Sequence, residues 1–187
     1  MSTLQTQRLT LRPPTSADLD PLAAMFADPA VCRYIGDGSP RPRDRVELSL
    51  RNGLRCWQER NFGPFIIETR ATENDTPTFV GDCVLFPIAR SGIDGADFNA
   101  RGPEIEIGYR LAQHAWGHGY ATEAAQAVLH WARHDPTGPR LPKLLAVTFP
   151  ANTASRRVLE KLGMRYRGET DAYYDTTTSL YESADPA

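Results

Sequence analysis

The segment Trp116-Gly117-His118-Gly119-Tyr120-Ala121-Thr122-Glu123-Ala124-Ala125 passes from a pair of glycines directly into a run of helix formers. Glycine lets a backbone approach an anion closely, and the first turn of a helix presents N–H groups without intrahelical partners at the positive end of the helix dipole. The segment is therefore expected to cradle phosphate, with a diphosphate as its natural guest. A Walker-type nucleotide loop is not expected, because no Gly-Lys-Ser/Thr follows the glycines.

Working outward, Pro103 to Leu111 alternates strictly and predicts a strand, with Glu104, Glu106, Gly108 and Arg110 on one face and Ile105, Ile107, Tyr109 and Leu111 on the other. After the glycines, Ala121 to about Arg133 predicts a helix whose small-residue stripe (Ala121, Ala124, Ala125, Val128, Ala132) allows close packing on a sheet. His134 to Pro142 is a Pro/Gly turn. Leu144 to Phe149 is apolar enough for a central strand buried on both faces. Asn152 can cap a helix carrying Ser155, Leu159 and Leu162 on one face, which Gly163 stops. Met164 to Thr170 and Thr177 to Glu182 predict a closing pair of strands.

Toward the N-terminus, Arg8 to Pro13 predicts an opening strand, and Ser16 a cap for a helix carrying Leu19, Leu22, Ala23 and Phe26 that Asp28-Pro29 closes. Gly36 to Pro42 reads as a mobile linker. Val46, Leu50, Leu54 and Trp57 recur at helical spacing, which predicts a helix from Arg43 to Arg60. Phe62 to Thr69 and Thr78 to Ile88 predict an antiparallel hairpin around Arg70 to Pro77, with a bulge at Gly81. Ala89 to Gly102 is expected to be a long exposed loop, either a plain hairpin tip or a flap over a substrate site.

Composition narrows the function classes. A chain of 187 residues with 41% apolar residues suits one domain, spanning 1–187, with one core. Its 15 prolines and 14 glycines break it into the short elements of an α/β domain. A net charge of −2 argues against nucleic acid as a partner held by whole-chain positive charge, which leaves a local basic patch open, and no nucleic acid is expected. The odd, unclustered Cys32, Cys56 and Cys83 point to buried thiols in a reducing compartment, without a disulfide framework or zinc site. The first eight residues contain no apolar signal region, and no run approaches the roughly 18 apolar residues of a membrane span. A cytoplasmic protein with no membrane partner is expected. His130 and His134 have metal-ligand spacing but no third ligand, so they read as solvated helix residues and no metal is expected.

Three segments in order, Ile107-Gly108-Tyr109-Arg110-Leu111, Trp116 to Ala124 and Asn152 to Met164, together with the opening Thr6-Gln7-Arg8-Leu9-Thr10-Leu11-Arg12, resemble the GNAT superfamily of acyl-CoA-dependent N-acetyltransferases. The resemblance runs from about residue 6 to residue 182 and is strongest to the branch of ribosomal-protein N-terminal acetyltransferases (RimJ/RimL-like). It implies a mixed, largely antiparallel sheet of six or seven strands, helices on both faces and a V-shaped cleft between two central strands. The family signature Gln/Arg-x-x-Gly-x-Gly/Ala aligns with Trp116 to Ala121, Trp116 replacing the first residue. Gly117, His118, Gly119, Tyr120, Ala121 and Thr122 would then hold the pyrophosphate of acetyl-CoA, the co-substrate, while backbone at Tyr109 and Leu111 would bind the pantetheine arm like an added strand. Asn152 would hydrogen-bond the arm or the acyl amide. Arg156 or Arg157 would reach the adenosine phosphates or coat the helix.

Aminolysis of a thioester needs a neutral amine, a stabilised oxyanion and a proton for the departing thiolate. Ser155 stands where this branch often places a hydroxyl for that thiolate. Glu106, ahead of Glu104, is the candidate base for the ammonium, and Tyr173 and Tyr174 fall in a late loop that would wall the acceptor site. The expected activity is acetyl transfer from acetyl-CoA to a small-molecule or peptide amine in a ternary complex, by a monomer or homodimer. Two alternatives stay open: a non-catalytic acyl-CoA-binding module, and a longer donor such as succinyl-CoA.

Overall fold

The computed structural model describes residues 2–71, 76–92 and 103–183. Within them lie β1 (Leu4–Gln5), β2 (Leu9–Arg12), α1 (Leu19–Phe26), α2 (Pro29–Cys32), α3 (Arg43–Arg60), β3 (Phe65–Thr69), β4 (Phe79–Pro87), β5 (Ile105–Leu111), α4 (Tyr120–Arg133), β6 (Leu145–Thr148), α5 (Thr153–Lys161), β7 (Arg165–Thr170) and β8 (Thr178–Glu182). The strands form one mixed eight-stranded sheet in the order β1-β2-β3-β4-β5-β6-β8-β7. Every neighbouring pair is antiparallel except β5 with β6. The strand beyond the expected six or seven is β1, whose 2 residues pair with Leu11 and Thr10 and are too short to show any alternation.

The strand pleat sends successive residues to opposite faces, and the two sides are covered by different helices. Ile67 joins a core with Val128 and Trp131 of α4 and Leu159 of α5, whereas its neighbour Ile66 packs with Leu22, Phe26, Val46 and Leu50 of α1 and α3. The far end of α3 reaches the first core through Trp57, whose ring lies 5.0 Å from Phe65 and 5.8 Å from Trp131. All three cysteines are buried and free.

Local details differ from expectation in three places. Thr15, not Ser16, opens the first helical segment, because its backbone N–H donates to Asp18 Oδ2 at 2.6 Å. Asp28 does more than close α1: it accepts from Ala30 N at 2.8 Å and caps the short α2. The Gly36 to Pro42 segment is tied down, with Gly38 N donating to Ile35 O at 3.0 Å and Arg41 N to Phe26 O at 2.9 Å. The bulge expected at Gly81 falls between Gly81 and Phe79, opposite Ile67 and Glu68. Gly81 has φ +151°, and a Cβ there would lie 2.1 Å from the Arg110 carbonyl oxygen, so only glycine lets β4 lie this close to β5. Residues 93–102 of the predicted long loop are outside the described residues. Its described start, Arg90, bridges to Tyr173.

Candidate active site

The glycine segment links β5 to α4. Gly117 and Gly119 take φ of 81° and 79°, and Gly119 is the N-cap of α4 without any side-chain cap. Glu123 N makes the first helical bond, to Gly119 O at 3.1 Å. The N–H groups of Tyr120, Ala121 and Thr122 therefore point out of an open helix end, as an anion site requires. A Cβ at Gly117 would meet nothing within 4 Å, so the approach on that side is clear. The opening strand clamps this turn from below. Arg8 Nη1 donates to His118 O at 2.9 Å and Arg8 Nε to Glu123 Oε2 at 2.7 Å, while Thr6 Oγ1 donates to Glu123 Oε1 at 2.6 Å. Burial pushes the Glu123 carboxyl up, but these hydrogen bonds outweigh it and hold its pKa below the ordinary value. Trp116 donates its indole N–H to Leu111 O at 2.8 Å, joining the end of β5 to the cradle.

Among the described strands the one parallel pair, β5 and β6, parts almost at once. β5 and β6 share a single registered pair, Glu106 with Leu145, and diverge beyond it into the expected V. Across that V, Tyr109 Oη donates to Ser155 O at 2.9 Å and lies 3.0 Å from Ser155 Oγ. Asn152 Oδ1 accepts from Ser155 N at 3.2 Å, so Asn152 is the N-cap of α5 and fixes the turn that presents Ser155. Burial raises the Tyr109 phenol well above its usual range, the hydrogen bond to Ser155 opposing only in part, so the phenol stays protonated.

Glu106 and Glu104 share a face of β5 and have different fates. Glu104 is engaged by Arg90 at 2.6 Å and by Tyr173 Oη at 3.1 Å, away from the cleft. Glu106 lines the cleft and accepts a hydrogen bond from Tyr174 Oη. Burial raises its pKa, with the Tyr174 bond and the nearby Arg110 pulling the other way. Next to it, Arg110 Nη2 pairs with the buried Asp82 Oδ2 at 2.7 Å.

One continuous cleft of about 1250 Å³ holds these parts together. It runs from the cradle at Gly117 to Thr122, past Tyr109, Asn152 and Ser155, to Glu106, Arg110, Asp82 and Tyr174. The exposed Arg157 lines it, whereas Arg156 turns to Tyr181 Oη at 3.2 Å. His130 of α4 and His134, the C-cap of that helix, have ring centroids 5.6 Å apart at a tilted 41° and lie away from the cleft. Among the described residues no cluster of His, Cys, Asp and Glu is placed to hold a metal ion, and no helix is long and apolar enough to cross a membrane.

Three features were not found by sequence reasoning: the hydroxyl of Tyr109, the Thr6/Arg8 clamp on Glu123, and the Asp82–Arg110 pair. Tyr109 and Thr6-Gln7-Arg8 lie inside segments that resemble the family, so their positions were visible although their partners were not. Asp82, a charge inside the otherwise apolar Val80 to Leu85 run, was the available signal for the third.

The family model described as acetyltransferase (GNAT) domain matches residues 8–165. The chain is 30% identical over 181 residues to the protein YkkB of Bacillus subtilis (strain 168), covering 96% of this chain and 94% of that one. The crystal structure of the acetyltransferase from Agrobacterium tumefaciens str. C58 is similar with a TM-score of 0.77 at 26% identity, over 99% of this chain and 95% of that chain. RimL, the ribosomal L7/L12 alpha-N-protein acetyltransferase solved in complex with coenzyme A, shares the fold with a TM-score of 0.69 at 15% identity, over 97% of each chain.

Proposed function

The chain belongs to the GNAT acetyltransferase family, and on that premise we propose that it works as a single domain moving an acetyl group from acetyl-CoA to a primary amine by direct transfer. The observation that carries this reading is the uncapped N-terminus of α4 opening into the same cleft as Glu106 and the Tyr109–Ser155 pair. Acetyl-CoA fits the cradle: three free N–H donors at the positive end of a 14-residue helix match a pyrophosphate. When bound it supplies the thioester. Gly117 to Thr122 hold its phosphates, and the Tyr109 and Leu111 strand edge and Asn152 hold its arm, though the Leu111 carbonyl already accepts Trp116. Glu106 takes a proton from the acceptor ammonium, so that the neutral amine attacks. Ser155 Oγ gives its proton to the departing sulfur and regains one through Tyr109 Oη, which is itself replenished by the second proton that the attacking nitrogen sheds as the tetrahedral intermediate collapses.

A thiol-release assay with acetyl-CoA over a panel of amines and peptides tests the proposal. Mass spectrometry of the product should find an added acetyl group. CoA at about 100 times its Kd stabilises a protein by about 2.7 kcal/mol, which predicts a Tm rise of about 5–10 °C for a chain of this size. A Tm rise with no thiol released by any acceptor would overturn the transferase reading and leave a binding module.

The clamp beneath the cradle carries a separate expectation. Arg8 is 46% exposed, so its pair with Glu123 is screened and contributes modestly to stability. Its contact with the His118 carbonyl bears on the cradle itself. Arg8→Ala is expected to weaken CoA binding about threefold to tenfold, the scale of a charge-assisted hydrogen bond discounted for the exposure of Arg8, with kcat at saturating donor unchanged. Thermal shift against CoA concentration reads the first and steady-state kinetics the second.

A further inference from the structure

On the acceptor side of the cleft, Arg41 is a half-buried guanidinium with no ion pair among the described residues. Its backbone is fixed by the bond to Phe26 O, and its Cζ stands 5.1 Å from the centroid of the Phe26 ring. Arg110 Cζ lies 5.6 Å from the same centroid, so two guanidinium groups gather at one apolar ring. The carboxylate nearest in electrostatic effect, Asp82, is already bonded to Arg110. Even so the pair is under-bonded: Asp82 Oδ1 and Arg110 Nε are buried without partners. Glu106 is held by Tyr174, and the remaining carboxylates of this side bond to backbone, Asp37 to Ser39 N and Asp175 to Gly92 N. Burial and the neighbouring Arg110 both work against the Arg41 charge, and Asp82 offsets them only in part. A cation kept in such a place without a partner is costly unless a ligand supplies the anion.

We propose that Arg41 is a specificity-determining residue that binds a carboxylate of the acceptor, so that the preferred substrate is a primary amine carrying its own carboxylate. A guanidinium fork matches a carboxylate in plane and spacing. The same field repels an acceptor that brings only positive charge, such as a polyamine, whereas a zwitterion delivers its ammonium to Glu106 with the second charge neutralised at Arg41. This assignment rests on the transferase reading for the fate of the amine, but carboxylate binding can be measured without turnover.

The experiment compares acceptors that differ only by carboxylate or carboxamide. One arm uses peptides with a free N-terminus and Asp or Asn at the second position; the other uses small amino acids and their amides. Each pair is read twice, by kcat/KM for thiol release and by calorimetric affinity for the CoA-saturated protein. The carboxylate member is expected to win by about tenfold to a hundredfold in one arm, the range of a hydrogen bond between charged groups. That preference should vanish in Arg41→Gln and survive in part in Arg41→Lys, both variants keeping the wild-type Tm rise with CoA. Equal values for both members in both arms, or a preference that survives Arg41→Gln, would overturn the proposal while leaving acetyl transfer intact. Conversely, Arg41-dependent carboxylate binding with no thiol released by any acceptor would support the subsite and sink the transferase reading.

Discussion

Glu106→Gln should lower kcat by about 100-fold or more at neutral pH, the usual scale for removing a general base, while CoA affinity stays at the wild-type value. The amide is nearly isosteric and its oxygen can still accept from Tyr174 Oη, so the local fold is kept and only proton acceptance is lost. The pH dependence supplies a second signature. Burial raises the folded pKa of Glu106 above its ordinary 4.5, against the lesser pull of Tyr174 and Arg110. The base therefore becomes competent only as pH rises through that elevated value, and the acid limb of the wild-type kcat profile should lie above pH 4.5 and be missing from the variant. Stability moves the opposite way. A carboxyl with a raised folded pKa contributes stability below its unfolded pKa and loses it as pH climbs through the folded one. Glu106→Gln should consequently have an equal or higher Tm at pH 8, an unusual pairing of lost turnover with retained stability. Full turnover in the variant would remove Glu106 from the mechanism.

How far the sequence carried this site depends on the range of the interactions involved. The cradle was legible because its cause is local: two residues at positive φ followed by an uncapped helix start. The alternation of β5, the Asn152 cap and the Gly163 stop are likewise settled within one turn or pleat of themselves. What joins them was hidden. The Thr6/Arg8 clamp on Glu123 spans most of the chain, and nothing near Arg8 distinguishes it from an exposed strand cation. Tyr174 was expected in the wall of the acceptor site, but its bond to Glu106, made from a residue at φ 60° in the late loop, was not. The two-residue β1 was too short for any period, and the Gly36 to Pro42 segment looked mobile because its anchors, Ile35 O and Phe26 O, are backbone atoms that no side-chain pattern reports. Glu104 and Glu106 illustrate the limit best. They are equivalent by period, and long-range contacts separate them: Arg90 and Tyr173 engage Glu104, while Glu106 lines the cleft and accepts from Tyr174.

Tyr109 is the residue whose part in the site changes most, and it sets the second large effect. The pleat placed it with Ile105 and Ile107, and a strand-like backbone contact was all that was expected of it, yet its hydroxyl meets both oxygens of Ser155. One phenolic proton cannot satisfy both at once. When it points to Ser155 O, the Ser155 hydroxyl donates back to Tyr109; when it points to Ser155 Oγ, the serine proton is free for the leaving sulfur. Because burial disfavours the phenolate, the tyrosine is a relay behind the serine and not a net acid: it passes a proton to Ser155 Oγ as it takes up the one shed by the nitrogen of the collapsing intermediate. Ser155→Ala is accordingly expected to lower kcat by about 100-fold, and Tyr109→Phe by about tenfold, since the serine then still donates but is not re-supplied. The double variant should fall little below Ser155→Ala, the non-additivity of two groups acting as one unit. Steady-state kinetics on one acceptor, with CoA thermal shifts confirming that donor binding is intact, decide the matter. Independent, multiplying losses would show that the two hydroxyls do not form a relay, and full activity in Ser155→Ala would remove the serine as the thiolate's proton donor.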